Sequence, residues 1–220
     1  VLLRWHPEVT PPRRTPILGA IAIGIGYCAR SSPLRRVLTR GFAFGIAGAA
    51  FSALLPSLVR DRLHGTEIIY GLCLAAFGAG SIFAALWVGE ARKRWGSDRV
   101  VSIASLVFAA AMVPAATALT LPPLLATAFV AGAAWVSTLT TLNVAMQLRS
   151  PEEILGRCLS IYQAVTFGAM ALGAWLLGTL ADLTDLPTAL FTAAGWLTFT
   201  GLLLPLIAPM PRRDDGRVIP

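Results

Sequence analysis

The chain has 220 residues, of which 56% are hydrophobic and 13% are charged, and its formal net charge is +7. Because that charged fraction is about half of what soluble domains carry, a soluble globular domain is disfavoured. A positive charge can indicate nucleic-acid binding, but nucleic-acid readers do not contain uncharged apolar stretches long enough to cross a membrane. We therefore expect an all-α membrane protein that sits in a lipid bilayer and has no nucleic-acid partner.

Residues 1–33 predict a cytoplasmic segment that precedes the membrane part. The first sixteen residues contain four prolines and three arginines, which favours an extended linker. Residues 17–29 are apolar but too short to span a bilayer, and they predict a short interfacial helix. Since the chain begins with Val1 and shows no signal-peptide pattern, we expect it to start inside a longer reading frame or at an alternative start codon.

Six apolar stretches of membrane-spanning length follow. A helix rises about 1.5 Å per residue, so roughly 20 residues cross the hydrocarbon layer. The stretch from Gly71 to Gly89 runs without a charge and is followed by a basic segment that ends at Arg99. The predicted bundle covers residues 34–208, and residues 209–220 form a cytoplasmic tail. The six spans are predicted at about 37–59, 68–89, 100–119, 124–148, 158–180 and 189–207.

The distribution of cations predicts the orientation of these spans. With six spans, every lysine and arginine except Arg60 and Arg62 falls on one side of the membrane. Loops that stay in the cytoplasm carry an excess of cations. We therefore expect a multi-pass protein of the inner or plasma membrane with both termini in the cytoplasm.

Small residues on the first span predict a close helix contact. Membrane helices pack where small side chains let their backbones approach. Such residues recur on one face of this span, and Pro56 near its end predicts a bend. The face consists of Gly41, Gly45, Gly48 and Ser52.

Polar side chains within the spans concentrate in the fourth and fifth. No acidic residue, lysine, arginine or histidine lies at the centre of any predicted span, so this chain has no evident proton relay of its own. Polar groups at membrane depth either line a water-filled route or make hydrogen bonds between helices. Both interpretations stay open at this point. The candidate route residues are Thr140, Asn143, Gln147, Tyr162, Gln163 and Thr166.

No pattern in the sequence predicts a metal site, a cofactor or an enzyme. Gly24, Gly26 and Ala29 match the glycine pattern of a dinucleotide turn, but the acidic residue expected about 20 positions later is missing. Both histidines lie outside the spans, and no pair of acids is buried in one. The cysteines have no metal-ligand spacing, and their odd number argues against a disulfide framework, so we expect them to act as small apolar residues. They are Cys28, Cys73 and Cys158.

The spans divide into two units of three, at about 34–119 and 124–207. An odd number of spans makes the two units opposite in topology, as in inverted-repeat transporters. After the second span the chain reads GEARKRWGSDR, which resembles the loop signature of the major facilitator superfamily through Gly89, Arg94, Gly96 and Arg99. The acidic position of that signature is Lys93 here.

Longer segments resemble one branch of that superfamily, which contains the enterobactin exporter and the transmembrane secretion effectors. These segments are RSSPLRRVLTR, YGLCLAAFGAGS, TLNVAMQLRSPEEILGRCLSIYQ and ALGAWLLGTLAD. The resemblance covers about residues 17–208 and matches only the carboxyl-terminal half of such a protein. It implies six transmembrane helices arranged as two inverted three-helix repeats, half of a major facilitator fold.

The resemblance also implies a function. It suggests the carboxyl-terminal half of a secondary active transporter that exports small molecules, of drug or siderophore type, by alternating access. Such a half needs the missing amino-terminal six-span half or a second copy of itself. The alternatives are a truncated membrane module that does not transport, or the membrane subunit of a multi-chain pump. The sequence contains no phosphate-binding loop of its own to drive such a pump.

In the family, cations of the cytoplasmic loops engage helix ends and acids when the gate closes. The resemblance therefore implies a cytoplasmic gate, for which Asp98, Glu152 and Glu153 are the acids available as partners. The alternative is that the cations only set the topology. The candidate gate residues are Gly89, Arg94, Gly96, Asp98, Arg99 and Arg157.

Overall fold

The computed structural model describes residues 17–210, which are almost entirely helical and contain no strand. A π-helical turn, Leu58–Arg62, continues the second helix, and a short 3-10 turn, Glu152–Ile154, precedes the sixth. The α-helices are α1 (Ile17–Arg30), α2 (Ser32–Ser57), α3 (Glu67–Trp95), α4 (Ser97–Thr117), α5 (Leu121–Arg149), α6 (Leu155–Leu183) and α7 (Leu186–Ile207).

Six of the described helices, α2 to α7, are long and apolar enough to cross a membrane. The short helix α1 is apolar but falls below that length. The predicted fold class, an all-α membrane protein with six spanning helices, is therefore confirmed.

Local sequence explains several helix ends. Asp185 caps α7, because its carboxylate accepts a hydrogen bond of 2.7 Å from the Thr188 backbone N–H. Hydrogen bonds from Thr188 hold the pKa of Asp185 below its ordinary value. Prolines stand in the first turns of α5 and α7, where their missing N–H costs no helical hydrogen bond. Gly96 ends α3 with φ of 84°, a backbone conformation that favours glycine.

The helix pairs follow the symmetry expected of two inverted repeats. The first unit consists of α2 to α4 and the second of α5 to α7. Helix α2 packs along α6, and α5 packs along α3, so the first helix of each unit lies on the second helix of the other. The third helices, α4 and α7, pack against each other. Exchanging the two units maps each of these contacts onto its equivalent.

Glycines set the closest of these helix contacts. In α3 and α5, a Cβ atom at Gly80 would overlap the carbonyl group of Phe129, and one at Gly132 would overlap that of Phe77. In the equivalent pair, a Cβ atom at Gly173 of α6 would overlap the carbonyl group of Ile46 in α2. These backbones approach each other as small residues in membrane helices permit.

The predicted small face of α2 has more than one partner. Gly41 and Gly45 face α6, where a Cβ atom would lie 2.8 Å from the Thr166 hydroxyl and 2.7 Å from the Thr166 carbonyl oxygen, respectively. Gly48 instead faces the Trp135 ring of α5, and Ser52 is exposed. The predicted close contact is therefore confirmed for Gly41 and Gly45 but does not extend along the whole face.

An aromatic cluster fills the centre of the bundle between four helices. Its ring centroids lie 5.6 to 6.4 Å apart, within the range of favourable aromatic pairs. The phenylalanines contributed by α2 and α4 are almost fully buried. The cluster consists of Phe44, Phe51, Phe77, Phe108 and Trp135.

Burial is uneven among the six long helices. In its most apolar 18-residue window, α2 is 67% buried, whereas the corresponding windows are 17% buried in α3 and 22% in α6. Large apolar side chains account for much of the exposed surface of these two helices, including Ile82 and Leu86 on α3 and Phe167 and Trp175 on α6. Much of α3 and α6 therefore faces away from the bundle.

Candidate functional site

The candidate polar residues of α5 form hydrogen bonds within that helix. Asn143 accepts a hydrogen bond of 2.5 Å from the Gln147 side-chain amide one turn later. The Thr140 hydroxyl donates to the carbonyl group of Val136. Thr140 and Gln147 are exposed, and Asn143 is half-buried. These side chains are therefore accessible from outside the bundle, and their hydrogen bonds do not join α5 to another helix.

The candidate residues of α6 divide into two groups. Tyr162 and Thr166 are almost fully buried and pack against Gly41 of α2. The Tyr162 hydroxyl donates a long hydrogen bond of 3.5 Å to the Leu139 carbonyl of α5. Gln163, in contrast, is exposed. The six candidates thus do not form one continuous face: two lie inside the bundle, and four remain accessible on α5 and α6.

An ion pair joins α2 to α4 at the end of the bundle where the cations concentrate, here called the basic end. The Arg40 guanidinium lies 2.6 Å from the Asp98 carboxylate and donates a further hydrogen bond of 3.2 Å to the Ser102 hydroxyl. Arg40 is 3% exposed. A buried charge is tolerated only where a partner compensates it. Asp98 was a candidate on sequence grounds, but Arg40 was not.

The same ion pair holds the chain that follows α7. The Met210 backbone N–H donates a hydrogen bond of 2.8 Å to the Asp98 carboxylate. Arg40 also donates to the Ala208 carbonyl oxygen at 3.4 Å, and Arg36 donates to that of Pro209 at 3.0 Å. The start of α2, the turn between α3 and α4, and the end of α7 therefore meet at the basic end.

The other candidate gate residues surround this junction in different environments. Gly96 is buried in the sharp turn between α3 and α4, and Gly89 is half-buried in the last part of α3. Arg94 and Arg99 are exposed on either side of that turn. Arg157 lies in the first turn of α6, against α1. The structure thus brings Asp98 to Arg40, while Arg94 and Arg99 remain on the surface.

A signal for Arg40 was present in the sequence. It stands near the start of the first predicted span, immediately before the uncharged stretch that begins at Gly41, and it was counted only among the cations that set the orientation. The helix in fact begins at Ser32, more than two turns earlier, so Arg40 lies inside α2. A cation directly before an apolar stretch can lie inside the same helix. Arg40 could therefore have been predicted to form a buried ion pair with an acidic residue.

The described residues contain no group of three or more side chains that could hold a metal ion. All three cysteines are buried and free. Two of them, Cys28 and Cys158, belong to the same packed cluster although they are far apart in the sequence.

A bundle of six apolar helices, paired as inverted three-helix repeats, defines a multi-pass membrane protein of the major facilitator type. The chain belongs to the transmembrane secretion effector family, whose model matches residues 1–220. No solved structure matches the chain.

Two relatives are similar over most of this chain. An uncharacterized MFS-type transporter of Enterobacter sp. (strain 638) is 25% identical over 181 residues, which cover 82% of this chain and 45% of the relative. The multidrug efflux pump Tap of Mycolicibacterium fortuitum is 25% identical over 192 residues, which cover 87% of this chain and 44% of the relative. The chain therefore spans less than half the length of these two relatives.

Proposed function

We propose that this chain acts as the carboxyl-terminal half of a secondary active transporter that exports small molecules by alternating access. The family match and the similarity to a multidrug efflux pump support transport in the outward direction. In such transporters two bundles of helices rock against each other around a site between them. This chain supplies one of the two bundles.

The exposed polar face of α5 is the observation that carries this proposal. Thr140 and Gln147 are exposed on a long apolar helix, and Asn143 beside them is half-buried. A side-chain amide that faces lipid leaves much of its hydrogen-bonding capacity unsatisfied. We therefore place this face toward a water-filled route between two halves, where a few polar groups are enough to orient a mostly apolar ligand. We place Gln163, which is exposed on α6, along the same route.

The uneven burial of the helices supports a second half as the partner. Helices α3 and α6 leave most of their apolar surface uncovered, and each pairs closely with one helix of the other repeat. Helix α3 packs along α5, which carries the polar face, and α6 packs along α2. We expect a second bundle to pack on α3 and α6. The polar face would then be enclosed, and the transport route would run between the two bundles.

The charges at the basic end support a cytoplasmic gate. Arg94 and Arg99 are exposed beside the turn at Gly96. The Arg40–Asp98 pair fixes the three chain segments behind them. By the positive-inside rule, this end and both chain termini face the cytoplasm. The arginines then engage the other half when the route is closed on that side.

Reconstitution with a partner half tests the proposal. The chain would be expressed in a dye-sensitive strain either alone or together with the part of the Mycolicibacterium fortuitum relative that lies outside the matched segment. That part of the relative, expressed alone, is the matched control. We expect efflux of a fluorescent cationic dye only when the two halves are expressed together. Efflux by the chain alone would indicate that a second copy of the chain takes the place of the partner half. Absence of efflux from both combinations, with both chains present in the membrane, would contradict the proposal.

A further inference from the structure

Two cysteine side chains from distant parts of the sequence meet at the basic end of the bundle. Cys28 lies in the last turn of α1, and Cys158 lies in the first turn of α6. Cys28 is 2% exposed and Cys158 is fully buried. Both side chains belong to the same packed cluster of buried residues. Cys73, in contrast, is buried in a different cluster.

The backbones of α1 and α6 approach closely at this point. A Cβ atom at Gly24 would lie 3.2 Å from the Cβ atom of Arg157 and 2.9 Å from the end of the Ile161 side chain. Cys28 follows Gly24 by one helical turn, and Cys158 follows Arg157 directly, so both cysteines lie at this crossing. A disulfide needs Cβ atoms about 3.5 to 4.5 Å apart. At this close crossing the two cysteines are packed in one cluster of buried side chains.

We propose that Cys28 and Cys158 form a disulfide when the cell is exposed to a peroxide oxidant, and that this bond ties α1 to α6. The two thiols lose two protons and two electrons, one sulfur–sulfur bond forms, and hydrogen peroxide is reduced to two molecules of water. Because only Ser31 separates α1 from α2, the bond also fixes the start of the first span relative to α6.

Burial makes the thiols slow to react under ordinary conditions. Desolvation, together with the neighbouring Cys158 side chain, raises the pKa of the Cys28 thiol to about 12. The nucleophile in thiol oxidation is the thiolate, so little reactive Cys28 is present at neutral pH while α1 is docked. Local opening of the short α1 helix exposes both thiols. The pair therefore stays reduced in a reducing cytoplasm and becomes oxidised when peroxide accumulates.

Counting free thiols tests the proposal directly. The purified 220-residue chain in detergent would be treated with hydrogen peroxide, quenched, unfolded in SDS and labelled with a maleimide of high mass. We expect three labels per chain before oxidation, one label afterwards, and three again after treatment with dithiothreitol. Peptide mass spectrometry should find the Cys28 and Cys158 peptides linked within a monomer.

Two variants provide matched controls. The variant Cys73→Ala should go from two labels to none on oxidation, whereas Cys28→Ser should keep two labels throughout. The proposal would be overturned if the oxidised protein retained three labels, or if Cys28→Ser lost label to the same extent. It would also be overturned if the lost label did not return with dithiothreitol, which indicates sulfinic acid, or if the disulfide joined two chains.

Discussion

Arg40 and Asp98 form an ion pair of 2.6 Å between α2 and α4, in which the side chains are only 2% and 23% exposed. The same carboxylate accepts a hydrogen bond from the Met210 backbone N–H. One side chain of α4 thus holds both the first span and the chain that leaves the last one. Removing either partner leaves the other without compensation in a poorly hydrated place.

Substitutions at this ion pair should show a strong energetic coupling. We expect Asp98→Ala and Arg40→Ala each to lower the free energy of unfolding by about 3 kcal/mol, because breaking a buried pair leaves an uncompensated charge or lost hydrogen bonds. The double variant should lose clearly less than the sum of the two. Thermal unfolding of the purified chain in detergent provides the measurement.

An exposed ion pair of the same chain supplies the control. Arg60 and Asp61 lie 2.8 Å apart with side chains 78% and 47% exposed. Surface pairs of this kind contribute little to stability, so Arg60→Ala should leave the melting temperature nearly unchanged. Additive losses in the Arg40 and Asp98 double variant would show that the two residues act independently.

The glycine contact between α3 and α5 should not tolerate a methyl group. At Gly80 a Cβ atom would overlap the Phe129 backbone, which is not able to move aside as a flexible side chain would. At Gly78 of the same helix, nothing lies within 4 Å of such an atom. We expect Gly80→Ala to cost about 3 kcal/mol or more through overpacking, and Gly78→Ala to cost almost nothing.

The comparison between the two alanine variants can be made by thermal unfolding and by folded yield. Both substitutions make the same chemical change in the same helix, so differences in helix propensity cancel. Equal melting temperatures would mean that α3 and α5 are farther apart than the structure shows.

Gly45 gives a related prediction for the contact between α2 and α6. A leucine side chain at this position should separate the two helices, and the smaller alanine should have a milder effect. In the structure a Cβ atom would already lie 2.7 Å from the Thr166 carbonyl oxygen. We therefore expect Gly45→Ala to lower the folded yield measurably, and Gly45→Leu to lower it further, as size-exclusion chromatography would show. Wild-type yield from Gly45→Leu would mean that this face points to lipid.

The fold was predictable from the sequence because each span is specified locally. Apolar stretches of bilayer length and the distribution of cations do not depend on which helices are neighbours. The pairing of Arg40 with Asp98, and the proximity of Cys28 to Cys158, depend on which helices are neighbours. Glycines that face a helix, such as Gly80, and those that face outward, such as Gly78, look alike in the sequence. The candidate site was therefore predicted only as a set of residue types, without its contacts.

The orientation in the membrane is open to a labelling experiment. If the basic end faces the cytoplasm, as the positive-inside rule predicts, a cysteine at position 94 should react only with reagents that cross the membrane. A cysteine at position 64 should react with a reagent that does not cross it. His64→Cys and Arg94→Cys replace side chains that are both exposed. Labelling of both positions from the same side would contradict the six-span topology.

Transport and binding should respond differently to changes at Asn143 and at Arg94. The hydrogen bond of Asn143 is made with Gln147 of its own helix. Asn143→Leu should therefore leave the melting temperature and the amount in the membrane close to those of the wild type, because no contact between helices is lost. If Asn143 lines the route, the same variant should weaken ligand binding and export in the reconstituted two-half protein. Thr198→Leu, on an exposed part of α7, is the matched control and should change neither.

Arg94→Ala should produce the opposite pattern in the same protein. Arg94 is exposed in the last turn of α3 at the basic end, on a different helix from Asn143. A gate residue acts on the conformational step rather than on the bound ligand, so dye affinity should stay near the wild-type value while the turnover of export falls. Equilibrium dye binding and efflux rates, measured separately for Asn143→Leu and Arg94→Ala, distinguish the two roles. Loss of binding in Arg94→Ala and unchanged binding in Asn143→Leu would reverse the assignment of site and gate.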